Sequence, residues 1–161
     1  MAGFTLVMGG PHSGKSAFAE DLFKDFHGKK YYIATLMVCD REGEERVARH
    51  RSGRADKGFI TLEVLRNVDR TGLDLGSGVL LECATNLLAN EMFEGGLGGK
   101  PAAEKCVKNI IELSARAEYM VVVTTDPGDW EAGDIETEEY AAAQKLMNDM
   151  LLEEAREVCR F

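Results

Sequence analysis

The stretch from Gly9 to Ser16, G-G-P-H-S-G-K-S, constrains this chain more than any other. It fits the pattern G-x-x-x-x-G-K-[ST], with Gly9, Gly14, Lys15 and Ser16 in the fixed places. The apolar run Phe4 to Met8 precedes it and the helix-forming residues Ala17 to Phe26 follow, so the strand-loop-helix context is present. Glycines let the backbone turn until successive N–H groups point inward, and the helix behind them adds its positive end. Such a cradle suits phosphate oxygens. Gly9, Gly10, Pro11, His12, Ser13 and Gly14 would form it, with His12 at a variable position where it either fills the loop or touches a phosphate. Lys15 would reach the β- and γ-phosphates and the Ser16 hydroxyl would ligate Mg²⁺. The chain therefore reads as a nucleotide-binding protein.

Downstream, Lys29 to Thr35 is rich in β-branched and aromatic residues and predicts a second strand. From there strand and helix alternate, the signature of a parallel sheet covered on both faces. Asp40 to Ser52 predicts a charged helix ended by Gly53, Phe59 to Val64 a third strand, and Gly78 to Cys83 a strand buried on both faces. Ala84 to Phe93 reads as helix and Glu94 to Lys100 as a glycine-rich loop. Pro101 suits the first position of a helix running to about Ala117. Glu118 to Thr125, carrying M-V-V-V, predicts a central strand, followed by a polar loop from Asp126 to Ile135 and a helix from Glu136 to Glu154. The predicted fold is α/β, a P-loop NTPase-like, mostly parallel sheet with helices on both faces. At 161 residues and 45% apolar content the chain fits one domain with a sizeable core.

A net charge of −9 offers no basic field for polyanions, which argues against nucleic acid or a membrane surface as partner. Any triphosphate must then be held by locally gathered cations. The segment Glu44 to Arg54, E-E-R-V-A-R-H-R-S-G-R, gathers them. Arg46, His50 and Arg54 are spaced by four, so they share one face if the helix reaches Arg54, with Arg49 and Arg51 flanking. Four arginines would disfavour the imidazolium form of His50 and leave a neutral nitrogen able to attack phosphorus. The plainer alternative is a solvated helix face with a surface histidine. Glu82 ends the strand V-L-L-E-C, where a carboxylate can hold Mg²⁺ directly or through water opposite Ser16, or simply be solvated. His27 reads as solvated. Asp69 to Gly72 matches D-x-x-G but precedes the wrong element, and no N-K-x-D follows a strand, which excludes a regulatory GTPase. Trp130 with Asp126, Asp129, Glu131 and Asp134 is either a lid or an ordinary surface loop. Cys39, Cys83, Cys106 and Cys159 lack metal-type spacing and read as free thiols of a cytoplasmic protein.

Taken in order, G-G-x-x-S-G-K-S, Tyr32-Ile33-Ala34-Thr35, Arg46-Val47-x-Arg49-His50-Arg51-x-x-Arg54, Thr61-x-Glu63, and Leu80-Leu81-Glu82-Cys83-x-Thr85 with Asn90 resemble one family. It is the bifunctional adenosylcobinamide kinase and adenosylcobinamide-phosphate guanylyltransferase family of cobalamin synthesis. The resemblance is close to about Asn90 and loose beyond. It implies phosphorylation of adenosylcobinamide by a nucleoside triphosphate, ATP or GTP, and then GMP transfer from GTP through a covalent guanylyl-histidine that His50 matches. It implies nucleotide contacts at Ala34, Thr35, Leu36, Arg51, Ser52, Gly53, Arg54, Glu63 and Glu82, and a homotrimer. Several positions depart from the family pattern. His12 replaces the usual Arg, and Phe59 stands for an aromatic that is usually Trp. Thr125 to Asp129 replaces a glycine-rich loop, an acidic Glu136 to Tyr140 replaces a basic segment, and only Asn148 keeps a usual Asn-Gln pair. The sequence stops at Cys159-Arg160-Phe161, where the family continues through a final strand. A small-molecule kinase without guanylyl transfer and a non-catalytic nucleotide binder remain alternatives.

Overall fold

Burying a Val or Leu contributes roughly 1.5–3 kcal/mol, more than the propensity differences of under about 1 kcal/mol that separate most residues in a helix. Apolar pattern therefore decides where each segment lies. A computed structural model describes residues 3–10, 13–36, 41–126 and 135–161, without the side chains of Val47, His50, Ile135, Glu136 and Thr137. Its strands are β1 (Thr5–Gly9), β2 (Lys30–Ala34), β3 (Phe59–Glu63), β4 (Gly78–Leu81), β5 (Tyr119–Thr125) and β6 (Glu157–Arg160). Its helices are α1 (Lys15–Asp21), α2 (Arg41–Asp56), α3 (Ala84–Phe93), α4 (Gly99–Arg116) and α5 (Ile135–Glu154). The described strands form one sheet of order β3-β2-β4-β5-β1-β6 in which every pairing is parallel.

Alternate residues of each central strand feed opposite cores, as a two-sided parallel sheet requires. Leu6, Met8, Ile33, Val79, Leu81, Met120 and Val122 pack under α3, α4 and α5 with Leu87, Ile110, Leu113 and Met147. Val7, Tyr32, Ala34, Leu80, Val121 and Val123 face the other way, against Ala19 and Phe23. That second side is covered more thinly, by α1 and, beside β3, by α2. The difference leaves room there for a cleft. Among the described residues no helix is long and apolar enough to cross a membrane.

Three boundaries differ from expectation for identifiable reasons. The helix after the phosphate loop stops at Asp21 rather than Phe26, because Phe23, Lys24 and Phe26 donate to carbonyls only three residues back. Phe23 and Phe26 turn onto Tyr119, at 5.0 and 6.2 Å between ring centroids, and this aromatic packing overrides helix continuation. α2 passes through Gly53 and ends at Asp56; the stop signal is Gly58, whose φ of 86° is the left-handed conformation that terminates helices. Pro101 is third in α4 rather than first, still inside the turn where a missing N–H costs nothing.

No strand is read from the sequence after the last helix, and the structure has one. β6 pairs with β1 from Thr5↔Glu157 to Met8↔Arg160, and Phe161 N–H donates to the Met8 carbonyl at 2.9 Å.

Candidate functional site

Because all strands run parallel, their carboxyl ends meet along one edge of the sheet, where ligands of open α/β folds bind. β1 delivers the phosphate loop there. A methyl group on Gly9 would lie 2.8 Å from both the Phe161 Cβ and the Ser13 Oγ, so only glycine lets the loop leave the strand this closely. Gly14 takes φ 88°, a conformation that glycine adopts without strain, and passes the chain into α1. Lys15 opens that helix and its Nζ donates to the Gly10 carbonyl at 3.0 Å, which holds the ammonium over the loop. Ser16 follows, exposed and lining the cleft. Since α1 has seven residues, its dipole is short, and the cations and turned amides of the loop carry most of the pull on an anion. Pro11 and His12 lie outside the described residues.

The cleft, about 990 Å³, opens between α1, α2 and the ends of β2, β3 and β4. From α2 come Arg46, Arg49, Arg51, Gly53 and Arg54, joined by Lys57; Glu20, Glu44, Glu63 and Glu82 are the acids. The helix does reach Arg54, so the cluster expected from the sequence is assembled by one element. His50 occupies the same helix midway between Arg46 and Arg54, and its side chain is outside the described residues. Arg51 pairs with Glu63. Lys57 lies 3.5 Å from Glu20. Arg54 is only 6% exposed; its guanidinium lies over the Tyr32 ring, 3.9 Å from the centroid. Its Nε finds no hydrogen-bond partner among the described residues. A buried cation with an unused donor in a cleft is suited to an anionic guest.

Glu82 stands one residue beyond β4, half-buried, and its Oε2 accepts the Thr35 N–H at 3.0 Å. Burial, and after it Glu82, push the Tyr32 hydroxyl well above its usual range, while Arg54 pulls the other way. Ala34 and Leu36 line the cleft, whereas Thr35 is fully buried behind them. Ser52 is exposed on α2 and is not among the lining residues. For Mg²⁺, oxygen donors at Ser16 and Glu82 line the same cleft, and hard oxygen ligands are what that ion takes. The loop carrying Trp130, Asp129, Glu131 and Asp134 lies outside the described residues.

Some contributors were not singled out from the sequence. Tyr32, Glu20, Lys57 and Leu65 line the cleft. The alternation of β2 could have placed Tyr32 on the α1 side; the others needed the fold. On α5, Gln144 donates to the Thr85 Oγ1 at 2.6 Å and to the Thr125 carbonyl at 2.9 Å. Asn148, one turn later, donates to that same carbonyl at 3.1 Å and accepts from Thr124 Oγ1 at 2.7 Å. Together they hold the end of β5 that pairs with Gly9.

Residues 5–160 match the family described as cobinamide kinase / cobinamide phosphate guanyltransferase. Over 121 residues the chain is 37% identical to the bifunctional adenosylcobalamin biosynthesis protein CobU of Escherichia coli and 33% identical to that of Salmonella typhimurium. Each alignment covers 73% of this chain and 65% of the relative. The bifunctional adenosylcobalamin biosynthesis protein CobP of Pseudomonas aeruginosa is 36% identical over 88 residues, 53% of this chain and 50% of that protein. The aligned part thus spans less than two thirds of these relatives' length. With the match running from the first strand to the last, this chain belongs to the cobinamide kinase / cobinamide phosphate guanyltransferase family.

Proposed function

We propose that the chain, as a single nucleotide-binding domain over residues 1–161, is a bifunctional transferase of cobalamin synthesis. It would phosphorylate the aminopropanol hydroxyl of adenosylcobinamide with ATP or GTP and then transfer GMP from GTP to the resulting phosphate. The observation that carries this reading is the convergence of Ser16 at the end of the phosphate loop, Glu82 and the arginine face of α2 on one cleft.

In the kinase step the substrate hydroxyl oxygen attacks the γ-phosphorus and gives up its proton to solvent, the bond to the bridging oxygen breaks, and the nucleoside diphosphate leaves. Loop amides and Lys15 neutralise charge on the transferred group, and catalysis is mostly positioning and electrostatics. Mg²⁺, held by Ser16 and Glu82, supplies further charge neutralisation when bound. In the guanylyl step a neutral nitrogen of His50 attacks the α-phosphorus of GTP and pyrophosphate leaves. An oxygen of the substrate phosphate then attacks the same phosphorus, the P–N bond breaks, and His50 is regenerated. Arg46, Arg49, Arg51 and Arg54 hold the anionic groups through both displacements, with Ala34, Thr35, Leu36, Ser52, Gly53 and Glu63 around the nucleotide. The working protein is a cytoplasmic homotrimer.

Incubation with α-labelled GTP and Mg²⁺ followed by denaturing electrophoresis tests this. Acid-labile label on the parent and none on His50→Ala is the expected result. Label on both, or on neither, overturns transfer through His50.

A further inference from the structure

Asn90 lies in the interior of α3, where asparagine is a mediocre helix former and a buried amide is costly unless both its hydrogens are bonded. It is 8% exposed, and both hydrogens are used on backbone. Nδ2 donates to the Thr35 carbonyl at 2.8 Å and to the Leu65 carbonyl at 2.9 Å. These two residues follow the ends of β2 and β3. Thr35, fully buried, has no polar atom to spare. Its carbonyl takes Asn90, its hydroxyl donates to the Cys83 carbonyl at 3.0 Å, and its N–H donates to Glu82 Oε2 at 3.0 Å. One side-chain amide therefore gathers the ends of three neighbouring strands, and the last link of the chain is a carboxylate that lines the cleft.

We infer that Asn90 is a positioning residue for Glu82, acting through Thr35 to hold the carboxylate in the orientation that receives the Mg²⁺ of a bound nucleotide. This rests on the proposed nucleotide-transferase reading. Among the described residues one backbone donor, the Thr35 N–H, fixes a Glu82 oxygen, and the tether on the Thr35 carbonyl helps to keep that donor in place. Outer partners of this kind alter metal affinity by about 10- to 100-fold when removed. A leucine would fill much the same volume with no hydrogens to donate, so it separates packing from tethering.

Two measurements on Asn90→Leu test the inference. The first is amide hydrogen exchange in the chain without nucleotide. The Thr35 amide should exchange about tenfold faster or more, while Ile110 and Leu113 in α4 keep the parent's protection. The second is binding of a fluorescent GTP analogue with and without Mg²⁺. The Mg²⁺ concentration for half-maximal tightening should rise about tenfold or more, with affinity in the absence of Mg²⁺ within about twofold of the parent. Asn90→Ser, which can donate to only one carbonyl, should show the same pattern more weakly, and it decides the matter if the leucine variant does not fold. Unchanged Thr35 exchange overturns the inference, as does an equal loss of affinity with and without Mg²⁺. A parent chain whose GTP binding ignores Mg²⁺ overturns the role given to Glu82 and with it the proposed function. Thr35 exchange, which needs no nucleotide, tells that failure from a failure of the tether.

Discussion

Arg54 lies over Tyr32, its guanidinium carbon 3.9 Å from the ring centroid, and both residues are almost fully buried. The contact explains how a cation is held inside the thinly covered side of the sheet: the ring face takes the place of an anionic partner for a guanidinium that lines the cleft. Tyr32→Leu should therefore lower stability by about 1–3 kcal/mol and weaken GTP binding. Tyr32→Phe, which keeps a ring, should cost less than about 1 kcal/mol. Urea unfolding and nucleotide titration of the two variants would decide it; a leucine variant as stable and as tight-binding as the parent excludes the stack as a support.

Among the described residues the Lys15 ammonium bonds to the carbonyl of Gly10 in its own loop and ties no other element to it. Lys15→Ala should change unfolding free energy by no more than about 0.5 kcal/mol and slow phosphoryl transfer by about 10²–10³-fold. Comparable unfolding midpoints with unimpaired turnover would remove Lys15 from the proposed chemistry.

Two glycines near the cleft should respond to alanine in opposite ways. At Gly9 the new methyl would press on Phe161 and Ser13 at 2.8 Å, and overpacking should cost about 1–3 kcal/mol. At Gly53 a methyl meets nothing within 4 Å on a regular helix, so Gly53→Ala should add about 0.5–1 kcal/mol. Thermal unfolding of both variants checks the contrast. If the proposed nucleotide contact at Gly53 holds, its alanine variant should also bind GTP less tightly despite being more stable.

Cys106 is fully buried in α4, and burial, with Glu91 adding to it, pushes its thiol up to about 12 from 9.0. The folded chain thus favours the neutral thiol. An unfolded chain loses that proton from about pH 9, so this contribution to stability is intact below pH 9 and is lost as pH rises towards 12. Alkylation at pH 8 should modify the half-buried Cys83 and Cys159 well before Cys106. Modification of Cys106 at the same rate as the other two in the folded chain would contradict this.

How much of this was legible beforehand depended on whether the signal was local. The phosphate loop, the arginine spacing and the apolar run before Glu82 are patterns of neighbours, and each brings at least one residue to the cleft: Ser16, the arginines of α2 and Glu82. Ala84–Phe93 was read to the residue because Cys83 and Glu94 bound a continuous helical pattern. β6 was missed because Glu157–Arg160 is short, half-exposed and without alternation; only the free edge of β1 makes it a strand. Gly53 looked like a helix stop because composition cannot distinguish a helical glycine from a left-handed one such as Gly58. The tethers made by Asn90 and Gln144 were not legible, since nothing in a helix sequence says that backbone carbonyls of other elements will come to meet them.

The strand that carries the phosphate loop sits between β5 and β6, whose residues are made more than a hundred positions later. During synthesis the first strand must therefore wait for both neighbours before its backbone is paired, an arrangement of high contact order that folds slowly. Nascent chains released short of Glu157 should carry the whole loop sequence and still be poor nucleotide binders, so ligand-dependent protection from proteolysis would arise only after β6 has been made.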